Sequence, residues 1–421
     1  MSKKIKVLTL GDHPLSPSGV GTQTRYVCEA LVKSGKFQVV SLGGAIKHHD
    51  YSIVTPEGFE EDWKIVPVDG YGTAELVRSV IRNERPDIVW IMTDPRFWGW
   101  LWQMDNEIRA LCPIVYYHVW DNYPYPYYNQ QAYESNDHIV SISQLTHDIV
   151  TTVAPTVPST YLPHAVQGDL FKPITLEEKK LLREKNLEEE DRDKFIVFWN
   201  NRNARRKQSG SLLWWFNEWM IERDLQGKAM LVMHTDPKDI HGQDLIHIHD
   251  HLEMEPRSVL FSTNKVPMDL LPTYYNMADV TINISDAEGF GLATLESLSC
   301  GVPIIATMTG GLQEQVMTGD KQFGIPLFPT SKAIIGSQEV PYIYEDRVSG
   351  DHVKSALSNM YDMGEEERVK MGKLGRTHVL ENYNFNNFGT QWVKLMTEIY
   401  EKEGSWETRT NYSNITFKEV A

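Results

Sequence analysis

At 421 residues the chain is too long for one ordinary hydrophobic core, and its 41% hydrophobic content is that of a globular protein, so two domains are expected. A formal net charge of −16 argues against general affinity for long polyphosphate surfaces. No apolar run approaches the roughly 20 residues of a spanning helix, Met1-Ser-Lys-Lys leads straight into a strand, and Cys28, Cys112 and Cys300 lack pairing or metal spacing; a cytoplasmic protein without transmembrane association is the expectation.

Ile5 to Leu10 reads as a strand, followed by a loop ending in Gly19 and Gly21 and a helix from about Gln23 to Ser34. The loop lacks the full Gly-x-Gly-x-x-Gly spacing, so a dinucleotide fingerprint is not supported. Strands are expected at Phe37 to Leu42, Asp87 to Met92, Pro113 to Val119 and His138 to Ser143, with helices near Ala74 to Asn83 and from Gln144. That alternation predicts a doubly wound parallel sheet. Phe97-Trp-Gly-Trp-Leu-Trp102 reads as buried helix surface. Trp120-Asp-Asn-Tyr-Pro-Tyr-Pro-Tyr-Tyr128 is held extended by its prolines and reads either as packing or as a rim on which sugars or bases stack.

Near Asp169 the pattern stops, and the charge-dense stretch from Thr175 to Lys194 reads as a surface helix or linker. Its Asp191-x-Asp193 has no glycine loop beside it and is taken as a solvated run, not a metal site. A second alternation begins at Lys194 to Trp199, with further strands at Ala229 to His234, Ser258 to Phe261, Val280 to Ser285, Val302 to Ala306 and Gly324 to Phe328. Arg202-Asn-Ala-Arg-Arg-Lys207 ends the first of these strands with four cations in six residues, a knot suited to a small, highly charged ligand or merely to a solvated loop. Ala287-Glu-Gly-Phe-Gly-Leu-Ala-Thr-Leu-Glu296 joins a strand to a helix, so Gly289 and Gly291 lie at the carboxyl edge of a parallel sheet. There the backbone can approach a ligand, and the helix start at Leu292 offers N–H groups to an anion. Glu288 sits in the loop and Glu296 about two helical turns further on. Thr309-Gly-Gly-Leu-Gln-Glu314 brings Gly310 and Gly311 to the same edge. Convergence of cations, glycine loops and a helix start predicts a diphosphate site, where any one alone reads as a turn or a solvated face. Helices near His352 to Asp362 and Phe385 to Tyr400 close the chain before a polar tail. The histidines His234, His241, His247, His249 and His251 have no fixed ligand spacing and read as surface residues, so no metal and no cofactor is assigned. Asn411-Tyr-Ser and Asn414-Ile-Thr read as chance glycosylation matches.

Glu288-Gly-Phe-Gly-x4-Glu296, Cys300-Gly-Val-Pro-Ile-Ile and Gly310-Gly-Leu-x-Glu314 resemble the retaining, nucleotide-sugar-dependent glycosyltransferases of the glycogen-synthase-like family four. The likeness runs over nearly the whole chain. Asn201-Arg202-x4-Lys207 is similar to that family's Gly-Arg-x4-Lys-Gly element with both glycines replaced, Ser18-Gly-Val-Gly21 to its amino-terminal glycine loop, and Pro163 to Pro173 to its hinge with three substitutions. The resemblance implies a GT-B fold: an acceptor domain over 1–173, a linker over 174–193, a donor domain over 194–384, a helix over 385–402 crossing back to the first domain and a loose tail over 403–421. It implies that Arg202 and Lys207 neutralise the leaving diphosphate, that Glu296 holds the ribose hydroxyls, and that Glu288 with the backbone of Phe290 to Leu292 grips the donor sugar, contacted by His118 from the first domain. The donor site would thus comprise Gly19, Gly21, Arg202, Lys207, Phe290, Gly291, Leu292, Glu296, Gly310 and Gly311, the catalytic residues would be Glu288, His118, Arg202 and Lys207, and Trp120, Tyr125 and Tyr127 would lie on the acceptor side. A second likeness, carried by Phe198 to Lys207 and Gly336 to Glu345, is to glycosyltransferases of tailed bacteriophages; it adds hydroxymethylated DNA bases to glycans as acceptors and a host cytoplasm as location. The competing readings are a GT-B nucleotide-sugar epimerase, which is not expected to carry the Glu288/Glu296 pair, and a non-catalytic nucleotide-sugar binder, which loss of Glu288, Arg202 or Lys207 would betray.

Overall fold

Apolar, β-branched runs become buried parallel strands in both halves of the chain. A computed structural model describes residues 3–412, and these divide into two bodies: residues up to 165 together with those from 386 onward, and residues 166–385. In the first body the strands are β1 (Ile5–Asp12), β2 (Phe37–Gly44), β3 (Trp63–Pro67), β4 (Ile88–Met92), β5 (Ile114–His118), β6 (His138–Ser141) and β7 (Ser159–Tyr161), in the sheet order β3-β2-β1-β4-β5-β6-β7. Every pairing is parallel. β4 is buried throughout, as its Ile-Val-Trp-Ile-Met run requires. The strands β3 and β7 were not expected; β7 is three partly exposed residues, too short to leave a pattern.

The second body repeats the plan. Its strands β8 (Phe195–Asn200), β9 (Ala229–His234), β10 (Val259–Ser262), β11 (Val280–Asn283) and β12 (Ile304–Thr307) are followed by a short pair, β13 (Met317–Thr318) with β14 (Lys321–Gln322), and by β15 (Gly324–Leu327). The six-stranded sheet runs β10-β9-β8-β11-β12-β15. Val197, Trp199, Leu231, Val280, Ile282 and Ile305 build its core with the buried faces of the helices Ser209–Glu222 and Gly350–Asp362. An antiparallel hairpin, β16 (Ser331–Ile335) with β17 (Ile343–Arg347), stands outside this sheet. Among the described residues no helix is long and apolar enough to cross a membrane.

Two segments differ from the sequence expectation. Residues 174–193 are part of the second body: Thr175 and Glu178 form a capping box on the helix Leu176–Asn186, and Lys179 and Arg183 each reach the buried Asp279 at 2.8 Å. Asp191 is not solvated; it is buried between Lys194 at 2.9 Å and Arg257 at 2.6 Å. The described part of the tail is not loose either. Trp406 donates from Nε1 to the Pro86 carbonyl at 2.9 Å under the Arg85 guanidinium, and Arg409 pairs with Asp137 at 2.8 Å. A polar composition hid these specific anchors. The rest of the tail, 413–421 with its Asn414 sequon, lies outside the described residues. The helix Phe385–Glu403 packs in the first body, with Trp392 fully buried and edge-on to Trp90 and Tyr117.

Candidate active site

The order of strands in the second sheet reverses between β8 and β11, and a ligand crevice is expected outside the carboxyl ends of such a pair. The loops leaving these two strands are the cationic knot and the Glu288 loop. Lys207 donates to Glu288 Oε2, the Arg206 guanidinium stands 4.0 Å from the same carboxylate and also donates to the Ala287 carbonyl. Asn283 and Ser285 add contacts to Glu288 at 3.4 and 3.5 Å. Burial by itself would raise the Glu288 carboxyl, but the Lys207 and Arg206 charges outweigh it and hold it below the ordinary carboxylate range. A carboxylate fixed in this way stays ionised and keeps one orientation.

The third loop closes over the second. A Cβ on Gly310, whose φ is +51°, would fall 1.8 Å from the Glu288 carbonyl oxygen, and the Gly311 N–H donates to that oxygen at 3.1 Å. Only glycine fits so close an approach. Gly291, at φ +90°, caps the helix Leu292–Ser299 without a side-chain hydrogen bond, so the cap residue itself takes up none of the first-turn N–H groups. Phe290 is buried against Tyr383 and its carbonyl accepts from Gln315 at 2.6 Å. Glu296, partly buried on the same helix, accepts from the Tyr275 hydroxyl at 2.6 Å, and Tyr275 in turn accepts from Asn200 at 2.9 Å. Burial pushes the Glu296 carboxyl up to about 7 against the lowering effect of Tyr275.

Not every expected residue joins this cluster. Arg202 is 61% exposed and forms a bidentate pair with Asp239, in the loop after β9. Sequence spacing marked Arg202 because the knot does not reveal which of its cations turns inward; Arg206 does. Asn283 and Ser285 were legible in principle, because Thr281, Asn283 and Ser285 are polar at every second position of an otherwise apolar strand. Asp286, Glu345 and Arg347, which lie beside the knot, left no such mark.

In the first body His118 has no exposed surface; its Nε2 meets the Tyr133 hydroxyl at 2.9 Å, and burial lowers its pKa to about 3, so the ring is neutral. Gly21 gives its N–H to the capping hydroxyl of Ser18 at 2.9 Å, and Gly19 is exposed at the helix start. The aromatic rim is corrected in one member. Trp120 is buried at 5% exposure, its Nε1 tied to the Asn122 carbonyl at 3.0 Å, because the segment folds back on itself instead of staying extended. Tyr125 and Tyr127 are 36% and 57% exposed. Trp98, Leu101 and Trp102 are core, while Phe97 is exposed. Among the described residues no three His, Cys, Asp or Glu side chains gather as a metal site.

The same architecture occurs in sucrose-phosphate synthase of Thermosynechococcus elongatus, at TM-score 0.75 and 17% identity over 95% of this chain and 100% of that one. It also occurs in Anabaena HepE, solved in complex with UDP-glucose, at TM-score 0.67 and 14% identity over 94% and 100%. The fold is GT-B. Residues 250–334 match the family described as "Glycosyl transferases group 1"; that stretch runs from the helix Leu245–His251 through the Glu288 and Gly310 loops to β16. Curated relatives include N-acetyl-alpha-D-glucosaminyl L-malate synthase of Bacillus anthracis, 24% identical over 35% of this chain and 39% of the relative. D-inositol 3-phosphate glycosyltransferase of Paenarthrobacter aurescens is 31% identical over 30% of this chain and 24% of its own length. The chain thus spans well under two thirds of the relatives it matches in sequence.

Proposed function

We propose that the protein is a retaining glycosyltransferase that moves a hexosyl group from a nucleotide-diphosphate sugar to an acceptor hydroxyl. The observation that carries this reading is the convergence of Lys207, Arg206, Glu288, Gly310, Gly311 and the start of Leu292–Ser299 at one switch point. The match of residues 250–334 to a glycosyltransferase family supports it. The diphosphate takes the place of the Glu288 carboxylate as partner of Lys207 and Arg206, and Arg202 of the same loop joins by leaving Asp239, an exposed pair that costs about 0–1 kcal/mol to break. Cations and helix N–H groups then stabilise the charge on the leaving phosphate, the work a divalent ion does in other transferases, so the reaction is metal-independent. Glu296 accepts from the ribose hydroxyls. Glu288 and the backbone from Phe290 to Leu292 hold the sugar; His118, neutral as its burial requires, is a hydrogen-bonding group and not an acid.

The chemistry balances without a protein base. The bond from the sugar's anomeric carbon to the phosphate oxygen breaks, the acceptor oxygen bonds to the same face, and the acceptor proton passes to the departing phosphate. Acceptors are glycans or the hydroxymethylated bases of phage DNA; the Gly336 to Glu345 likeness supports the second and the net charge of −16 opposes it. A melting-temperature screen of UDP, ADP, GDP and their sugars tests the donor class, since a ligand at a hundred times its Kd stabilises by about 2.7 kcal/mol. No shift with any of them would end this reading.

A further inference from the structure

The hairpin β16–β17 is the least conventional part of the second body, and its burial is inverted. Ile334, an aliphatic residue, is 73% exposed on it, whereas Glu345 is 1% exposed. In register, Glu345 lies opposite Ala333 and Arg347 opposite Ser331, so both charged side chains project from one face. A buried carboxylate on so small an element persists only if it is fully paired. Glu345 takes both ends of the Arg205 guanidinium, at 2.5 and 2.9 Å, and one arm of Arg347 at 3.0 Å. The other arm of Arg347 donates to Asp286, whose backbone carbonyl accepts from the Asp346 N–H at 2.9 Å. Asp286 also accepts from Gln208 at 2.7 Å, and its own N–H donates to the Arg206 carbonyl at 2.8 Å.

We propose that this hairpin is a positioning device for the diphosphate loops, with Glu345 and Arg347 as its working residues. The inference rests on the glycosyl-transfer reading of the site. The chain of contacts runs from Glu345 to Arg205 in the first loop and through Arg347 to Asp286 in the second, and it ends one residue from Arg206 and two from Glu288. Its charges alternate, two cations with two carboxylates, so it adds no net charge to the crevice. Arg205 is consumed by it, which leaves Arg206 and Lys207 as the inward cations of the knot. What the clasp supplies is geometry: it fixes the spacing of the two loops that must grip one diphosphate, where a displacement of 1 Å can cost roughly 100-fold in rate.

The test compares wild type with Glu345→Gln, Arg347→Gln and the charge-conserving Arg347→Lys. UDP, ADP and GDP are the binding probes, and slow hydrolysis of the matching nucleotide sugar is the turnover. The glutamine variants are expected to weaken nucleoside diphosphate binding by about tenfold or more and to lower kcat as well, and Arg347→Lys to retain a substantial part of both. A purely structural role would instead lower the melting temperature and leave Kd and kcat/KM as in wild type, which overturns the inference. In the wild type itself, hydrogen exchange of 343–347 should slow on adding the nucleotide that binds, together with 202–207. Unchanged exchange in the hairpin overturns the inference even where no variant folds. A wild type that binds no nucleoside diphosphate refutes the functional reading, and the positioning role with it; binding with an indifferent hairpin refutes the positioning role alone.

Discussion

Replacing Tyr275 by Phe removes one hydroxyl and keeps the ring, which is fully buried between Phe198 and Phe171. That hydroxyl donates to Glu296 at 2.6 Å, and burial has already moved the carboxyl up to about 7. A hydrogen bond to a charged group contributes about 1.5–3 kcal/mol, and one pKa unit corresponds to about 1.36 kcal/mol. Losing it should therefore raise the Glu296 pKa by roughly 1–2 units. The ribose hydroxyls donate best to an ionised carboxylate, so nucleoside diphosphate affinity falls toward low pH, by at most about tenfold per unit below the midpoint. In wild type the fall begins near pH 7; in the variant it begins roughly 1–2 units higher. Near pH 7 the variant binds about tenfold or more weakly, and above its new midpoint the two proteins converge.

Calorimetric titration with the binding nucleotide across that range, in buffers of different ionisation enthalpy, reads both affinity and proton release. The stability effect has the opposite sign. A carboxyl whose folded pKa is raised from 4.5 to about 7 contributes stability that is fully present below its unfolded value and is lost as pH rises through about 7. Wild type and Tyr275→Phe with superimposable pH profiles would refute the reasoning, as would a Glu296→Gln variant that keeps the wild-type slope.

Other outcomes follow from the same geometry. Lys207→Ala and Arg206→Ala should each cut turnover by about 100-fold or more, while Arg202→Ala costs less because its resting partner is Asp239; kcat/KM in the order Arg202 most damaged would reverse this assignment. Activity should survive excess chelator, and a complete loss restored by a divalent ion would refute metal independence. Trp120→Ala should destabilise by about 3 kcal/mol or more as a core truncation, whereas Tyr125→Ala and Tyr127→Ala leave the denaturation midpoint in place and weaken use of the acceptor; equal destabilisation by all three would make the whole segment core. Trp406→Ala should lower unfolding free energy by about 2 kcal/mol through its lost indole contacts with Pro86 and Arg85, and an unchanged urea midpoint would return the tail to a loose role.

The strands were legible where apolar runs met glycine or proline punctuation, as at β4, β8 and β11, because a strand covered on both faces must be hydrophobic throughout. β7 was not, since three residues carry no period. The glycines of the loops around Glu288 were legible for a physical reason: Gly310 stands where Glu288 leaves no room for a Cβ. Which cation turns inward was not, because Arg202, Arg205, Arg206 and Lys207 are neighbours in sequence and their directions depend on residues far from them. Arg205 is claimed by Glu345, 140 positions later, and Arg202 by Asp239. The tail and the stretch from Thr175 to Lys194 failed in the same way, their charges being solvated by composition and paired in space.

That pattern bears on how the site divides its work. A loop with four adjacent cations would repel itself and sample many arrangements if each side chain were equally free. Here two of the four are held by acidic partners outside the crevice, Arg202 by Asp239 and Arg205 by the buried Glu345, so only Arg206 and Lys207 face the Glu288 carboxylate. The resting site is thereby close to neutral and fully paired, which makes it stable without a ligand. In the proposed reaction a diphosphate would displace Glu288 from Lys207, and the freed carboxylate, still within reach of Asn283 and Ser285, would turn to the sugar hydroxyls. On that proposal one acidic residue would serve in turn as a stand-in for the phosphate and as a ligand for the sugar, while the pairing with Glu345 holds Arg205 outside the crevice.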